Sequence, residues 1–263
     1  MNFDFPDVPI KVEIETTRRG EVFYLCFQWD GRYHKVAGVN QAGLFAAAQI
    51  LVAPFEIEPQ PGDRSVTPYE LFSRALKTGQ NVDDVLKILG DRRLAYTTLR
   101  KGHQLYADIS GKTCVVEPGP EANRIYTLRE SHTVLTNNLF ERQQVRAAAN
   151  MRRLGVDRFL IAEQEIAANA VDFSIANGFD LLGKTMLTRG RFTTQCSIVV
   201  DPRENSVYLS LKKDFEHLWK IDISAHSLKP MNGALKPAVR SIPSGRFTSE
   251  KFSASYPKIA WEL

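Results

Sequence analysis

The first fifty residues alternate apolar and polar positions with a period of two, which predicts β-strands. Ile10, Val12 and Ile14 are separated by charged residues, as in a strand with one buried face. The segment Glu21–Trp29 is almost wholly apolar and aromatic, which is typical of a central strand buried on both faces. The predicted meander comprises residues 10–15, 21–29, 33–39 and 44–52.

Helix signals follow this meander. Thr67-Pro68-Tyr69-Glu70 is a capping box with proline at the first helical position, and Asn81 precedes a short helix over Val82–Leu89. Apolar residues at helical spacing predict another helix over Arg158–Ala176, and residues 139–154 form a charged stretch with a helical pattern. Further strands are predicted over residues 105–109, 113–117, 134–135, 193–200, 206–211 and 218–223.

Blocks of strands therefore alternate with pairs of helices. This order favours two antiparallel sheets stacked face to face with helices outside, an α+β fold of four αββα layers. A parallel α/β fold would instead alternate single strands with single helices. We expect one domain over residues 1–223. Residues 224–263 contain several prolines and serines with weak periodicity, and we expect an irregular tail that packs on the domain or extends from it.

Composition excludes several classes of protein. The chain has 263 residues and a net charge of +4 from scattered basic residues, so nucleic acid binding is not indicated. Cys26, Cys114 and Cys196 have neither disulfide-framework nor zinc-ligand spacing, and the five histidines have no metal-ligand spacing. No apolar run reaches membrane-spanning length and no signal peptide is visible, which predicts a cytoplasmic protein without metal or cofactor.

A polar cluster, Thr136-Asn137-Asn138, ends the stretch that begins at Leu105. Two adjacent amides after an apolar segment are costly if they are buried without partners. They therefore either turn the chain or face a polar group. Spacing alone favours a turn that ends a strand.

Three segments, in order, resemble one known family. They are GVNQAGL (residues 38–44), LYADISGKTCVVEP (residues 105–118) and VLTNN (residues 134–138). They are similar to motifs of the choloylglycine hydrolases and penicillin acyltransferases, which are N-terminal nucleophile (Ntn) hydrolases with the αββα fold. The late segment TTQCSIVVDPRENSVYLSL is more similar to acyltransferase-type members, such as acyl-coenzyme A:6-aminopenicillanic acid acyltransferase.

The resemblance implies residue roles. In that family an N-terminal cysteine attacks the substrate, its own α-amino group is the base, and an Asp in a G-R-N-x-D-F segment holds it. Asn2-Phe3-Asp4-Phe5 matches N-x-D-F, so Asp4 takes this role; a shifted alignment places Asn2 there. Asn137 matches the oxyanion-hole asparagine.

Two further roles follow from the same resemblance. The backbone N–H donor of the oxyanion hole falls at Gln49 or Ile50. Arg158 resembles the arginine of a later S-R-[FY] segment. The arginine of the G-R-N-x-D-F segment falls at Met1 and is absent.

The nucleophile-bearing strand is not in this sequence. We expect a misassigned start, a processed or truncated product, or a degenerate member; a core strand at residue one favours the first two. The resemblance thus implies a hydrolase of linear amide bonds, or an acyltransferase, with a small-molecule amide substrate. The alternative is a catalytically inactive domain that binds a small acyl or amide ligand or a protein partner. A homo-oligomer is compatible with either.

Overall fold

The computed structural model describes residues 1–51, 64–95, 102–128, 132–141, 156–169, 173–231, 240–241 and 247–248. The chain divides into two compact units, Met1–Val36 with Asn169–Leu263, and Ala37–Ala168. The helices are α1 (Pro68–Thr78), α2 (Val82–Leu89), α3 (Val156–Ala168) and α4 (Ile175–Thr185). The strands are β1 (Asn2–Phe5), β2 (Ile10–Thr17), β3 (Gly20–Trp29), β4 (Arg32–Asn40), β5 (Phe45–Gln49), β6 (Ser65–Val66), β7 (Arg93–Leu94), β8 (His103–Ala107), β9 (Thr113–Glu117), β10 (Arg124–Leu128), β11 (Thr193–Asp201), β12 (Ser206–Leu211), β13 (Asp214–Asp222), β14 (Ser227–Pro230), β15 (Arg240–Ser241) and β16 (Phe247–Thr248).

Two large sheets contain most of the strands. One has six strands in the order β1-β11-β12-β13-β14-β15, and the other has eight in the order β10-β9-β8-β5-β4-β3-β2-β16. Neighbours pair antiparallel, as in β1–β11, β2–β3 and β8–β9. A short parallel pair, β6–β7, stands apart from both sheets.

In the first unit the two sheets meet through aromatic side chains. Phe3 and Phe5 of β1 both pack on Phe27 of β3, with ring centroids 5.8 and 4.2 Å apart. Helix α4 covers the other face of the six-stranded sheet, where Gly178 lies against Val199 of β11. The absence of a side chain at Gly178 permits this approach, because a Cβ there would lie 3.0 Å from Val199 Cγ2. The unit therefore contains one helix layer and two sheet layers.

In the second unit α1 packs on the eight-stranded sheet, and one buried side chain joins them. Asn40, at the end of β4, donates from Nδ2 to the carbonyl oxygens of Leu76 and Gly79 at the end of α1, at 3.0 and 2.7 Å. Its Oδ1 accepts from the N–H of Leu44 at 3.0 Å. The predicted capping box of α1 is present, with Thr67 and Glu70 bonded reciprocally.

Some elements differ from the prediction. The helix expected over Arg158–Ala176 ends earlier, at Ala168, and is α3. A separate helix, α4, starts after Ser174, which forms a capping box with Asn177, and only its first two residues lie in the expected range. β10 was not predicted, and Val134–Leu135 is not a strand. The expected irregular tail contains β14 and β15, which extend the six-stranded sheet, and β16, which pairs with β2. These strands are only two to four residues long, too short to show a period. Residues 142–154 of the expected charged helix lie outside the described residues.

Candidate functional site

The second unit brings together the predicted oxyanion residues. Asn137 lies in a bend after Leu135, and helical backbone begins three residues later, at Phe140. Asn137 Nδ2 donates to the carbonyl oxygen of Ile50 at 2.8 Å. Arg158, near the start of α3, donates from Nη2 to Asn137 Oδ1 at 3.3 Å. The side-chain amide of Asn137 is thus held at both ends.

These two partners fix which way the Asn137 amide points. A guanidinium only donates hydrogen bonds and a carbonyl oxygen only accepts them. Oδ1 must therefore face Arg158, and the NH₂ group must face Ile50, so the assignment follows from the network. An amide nitrogen carries two hydrogens, and the described contacts use one of them.

Gln49 supports the same segment from β5. Its Nε2 donates to the carbonyl oxygen of Leu135 at 3.2 Å, so its side chain faces the loop that carries Asn137. Ile50 follows at the end of the strand and its side chain is 53% exposed. The peptide around Ile50 therefore reaches the surface of the second unit.

Asn2 and Asp4 lie in the first unit, on the face of β1 opposite to Phe3 and Phe5. Asn2 Nδ2 donates to Leu182 O and Thr185 Oγ1, at 2.9 and 3.1 Å, and Asn2 Oδ1 accepts from a serine of β11. Both amide hydrogens of Asn2 are therefore used to hold the end of α4.

Asp4 lies at an irregularity in the pairing of β1 with β11. Its Oδ1 accepts from the hydroxyl of Thr194 at 2.6 Å, and Thr194 Oγ1 in turn accepts from the N–H of Leu187. The role predicted for Asp4, or for Asn2 in the shifted alignment, needs acceptor oxygens. A carboxylate has two such oxygens and an amide has one, and Asn2 Oδ1 already accepts from the Ser197 hydroxyl.

The three cysteines of the chain are buried and unbridged. Burial raises the pKa of the Cys114 thiol to about 11, and burial raises the pKa of Cys196 further. The thiolate is the nucleophilic form of cysteine. These two side chains are therefore poor nucleophiles.

A cavity of about 210 Å³ lies between α3 and the stretch of chain around residues 128–140. Its apolar walls include Leu128, Val134 and Phe159. On its polar side, His132 Nε2 lies 3.1 Å from Glu163 Oε2. No cluster of three or more metal-binding side chains occurs among the residues that the structure describes. None of the described helices is long and apolar enough to cross a bilayer.

One residue near this site was missed by sequence reasoning. Glu117 belongs to the recognised Val116-Glu117-Pro118 segment, but no role was assigned to it. Its Oε1 accepts from the backbone N–H of Phe140 at 2.9 Å, three residues after Asn137. Its place in the motif was the only available signal, because the contact joins residues far apart in sequence.

Comparisons with known proteins agree with this fold. A model of the linear amide C–N hydrolases, choloylglycine hydrolase family, matches residues 28–187. No curated protein matches the sequence significantly. Among solved structures, a mutant conjugated bile acid hydrolase from Clostridium perfringens has a TM-score of 0.66 at 14% identity, over 88% of this chain and 92% of that one. Penicillin V acylase from Agrobacterium tumefaciens has a TM-score of 0.61 at 17% identity, over 84% and 85%.

At these identities the solved structures show the fold, and they confirm the predicted αββα arrangement of two antiparallel sheets. The family match covers more than half of the chain and confirms the resemblance that the three segments carried. The chain belongs to the choloylglycine hydrolase family of linear amide C–N hydrolases.

Proposed function

We propose that this protein hydrolyses, or transfers the acyl group of, a small linear amide, and that Asn137 stabilises the oxyanion of the reaction. The observation that carries the proposal is the fixed amide of Asn137, held between Ile50 O and Arg158. A donor that is oriented before the reaction stabilises developing negative charge without reorganisation. Arg158 acts as the residue that orients this amide.

The proposed reaction uses an N-terminal cysteine that the given sequence does not contain. The cysteine's α-amino group takes the thiol proton, and the sulfur attacks the amide carbon. The tetrahedral oxyanion accepts a hydrogen bond from Asn137 Nδ2. The C–N bond then breaks, the amine leaves with the proton, and a thioester remains. Water completes hydrolysis, whereas a second amine completes acyl transfer.

Asp4 is the proposed carboxylate that holds the cysteine's amino group. The one acceptor oxygen of Asn2 already accepts from the Ser197 hydroxyl, which supports the alignment that gives the role to Asp4. Gln49 is proposed to hold the backbone that carries Asn137, because its side chain donates a hydrogen bond to Leu135 O. The backbone N–H of Ile50 is then the proposed second donor to the oxyanion.

The test starts with the coding sequence upstream of Met1. We expect an in-frame cysteine codon about a strand and a hairpin before Asp4. The longer protein should release amine from acyl amides, and replacing that cysteine with alanine should abolish release. An in-frame stop codon directly upstream, or activity that survives loss of the cysteine, would contradict the mechanism and favour the binding domain.

Asn137 is tested in the same longer protein. Removing one oxyanion donor typically lowers kcat by about 10²–10³, so Asn137→Ala should lower kcat by this factor with little change in KM. Asn81→Ala is the control, because Asn81 only caps α2. A kcat for Asn137→Ala within twofold of that for Asn81→Ala would refute the assigned role.

A further inference from the structure

The segment Leu135–Phe140, called here the Asn137 loop, is fixed on both sides of Asn137. On one side, Gln49 Nε2 donates to Leu135 O at 3.2 Å. On the other side, Phe140 N donates to Glu117 Oε1 at 2.9 Å. Phe140 also packs in an apolar cluster with Val115 and Leu135. The position of Asn137 therefore depends on two anchors.

The Glu117 anchor is suited to the start of a helix. Helical backbone begins at Phe140, and the first N–H groups of a helix have no partner within it. A carboxylate at this end satisfies one of them and interacts favourably with the helix dipole. Glu117 supplies that carboxylate from the end of β9, so the anchor comes from the sheet rather than from the loop itself.

His103 fixes the Glu117 carboxylate. His103 Nδ1 lies 2.8 Å from Glu117 Oε1, and both side chains are 0% exposed. Oε1 also accepts from Phe140 N, and it accepts from His103 in the tautomer that carries the proton on Nδ1. His103 is also the cross-strand partner of Gln49 in the β5–β8 pair. The two anchors of the Asn137 loop therefore start from adjacent positions of one sheet.

This pair is costly for stability. His103 Nε2 and Glu117 Oε2 are both buried without a hydrogen-bond partner in the described residues. An apolar pair of similar volume is often as stable as a buried polar pair, or more stable. Fold stability alone therefore gives little reason for these two residues, whereas the N–H of Phe140 requires an acceptor.

We infer that the buried His103–Glu117 pair is a positioning device, which sets the Asn137 loop so that the Asn137 amide has a fixed direction. Neither side chain touches Asn137, and both act through the backbone of Phe140. The consequence for catalysis rests on the proposed function; the effect on the loop does not.

The test compares variants of the full chain by hydrogen exchange and NMR. Loss of a hydrogen bond to a charged group should speed exchange of the Phe140 amide by about tenfold to a hundredfold in Glu117→Leu. The side-chain amide resonances of Asn137 should shift in the same variant. Glu117→Gln keeps an acceptor oxygen and should restore most of the protection.

Two controls separate positioning from stability. Val85→Ala removes buried atoms from α2 and should speed exchange uniformly, without a separate effect at Phe140. The double variant His103→Leu with Glu117→Leu should fold at least as stably as Glu117→Leu, yet its Phe140 amide should remain unprotected. Wild-type protection at Phe140 in either Glu117→Leu protein would overturn the inference.

Activity gives a separate readout in the longer protein described above. There, Glu117→Leu should lower kcat at least tenfold with little change in KM, and Glu117→Gln should recover most of it. An inactive wild-type protein would refute the proposed function, while the exchange results would still decide the positioning role. Full kcat in Glu117→Leu, in an active protein, would refute the link to catalysis.

Discussion

Asn40 offers a sharp test of how the second unit is held together, because one side chain makes three buried hydrogen bonds. Its NH₂ group faces two carbonyl oxygens, those of Leu76 and Gly79, and its Oδ1 faces the N–H of Leu44. Asn40→Asp preserves the shape and reverses the chemistry at one end. The NH₂ donor becomes a carboxylate oxygen that faces two carbonyl oxygens.

The magnitude follows from those contacts. Each hydrogen bond contributes about 1 kcal/mol net, so Asn40→Ala should reduce the free energy of unfolding by about 3 kcal/mol. Asn40→Asp at pH 7 should cost at least as much, because the carboxylate oxygen that replaces the NH₂ group is buried against two carbonyl oxygens. Either value is a large part of a typical folding free energy of about 5–15 kcal/mol.

The pH dependence gives the decisive signature. The two carbonyls raise the pKa of the introduced carboxyl above its ordinary value of about 3.9. Once protonated, the group can donate to one of the carbonyls. The free energy of unfolding of Asn40→Asp should therefore exceed that of Asn40→Ala most below about pH 3.9. This advantage should be lost as the pH rises through the folded-state pKa of the introduced carboxyl.

Urea denaturation at pH 3.5 and pH 7 measures this difference. The control is Asn81→Ala, which removes one exposed helix cap and should lower the free energy of unfolding by about 1 kcal/mol. We expect Asn40→Asp to be the more stable of the two Asn40 variants at pH 3.5 and the less stable, or equal, at pH 7. A wild-type unfolding free energy for Asn40→Asp at pH 7 would refute the reasoning.

Two further predictions concern the other unit and the β8–β9 turn. Alanine is favoured over glycine inside a helix by about 1 kcal/mol, but a Cβ at Gly178 would lie 3.0 Å from Val199 Cγ2. Gly178→Ala should therefore gain less stability in the wild type than in a Val199→Ala background, and additive effects in a double-mutant cycle would contradict the close packing. Burial raises the pKa of Asp108, but hydrogen bonds from Ser110, from the N–H of Val82 and from other backbone groups outweigh it, and the net pKa is below its ordinary value. The stability that the Asp108 carboxylate contributes is present above the unfolded-state pKa of about 3.9 and is lost as the pH falls through the lower folded-state pKa. Asp108→Asn should therefore make the free energy of unfolding, measured with urea, depend less on pH in the acid range. An unchanged acid dependence would contradict this prediction.

Local signals predicted the elements that depend on neighbours in sequence. The capping box at Thr67 and the cap at Asn81 fixed the starts of α1 and α2, and both are present. The bounds of β9 and β12 are also as predicted. In each case the signal and the structure that it specifies lie within about ten residues of each other.

Elements that depend on distant contacts were not predictable in the same way. α4 is a different case, because its cap, Ser174, is a local signal that was not used, and the expected helix covered only the first two residues of α4. The hydrogen bonds of Asn2 join residues 180 or more positions apart, and that from Asn137 to Ile50 spans 87. No pattern in the sequence reports such partners. The resemblance identified Asn137 and Ile50 as candidate site residues, and only the structure shows the hydrogen bond between them.

The segments that identify the family contain residues of two kinds. Asn40 and Asp108 use their side chains to hold helix ends and turns, with every described contact directed to the protein itself. Such contacts stabilise the fold whether or not the protein is an enzyme. A match in those segments therefore supports the fold more strongly than it supports activity.

Asn137 differs from them in one physical respect. Its contacts fix the direction of the amide and leave one amide hydrogen outside the described network. A side chain that only closed a turn would not need a guanidinium to orient it. Arg158 contacts this amide directly, and the anchor at Glu117 constrains the loop that carries it. Catalysis is the simplest reason for that constraint, which is why the kcat of Asn137→Ala, rather than its stability, decides the function.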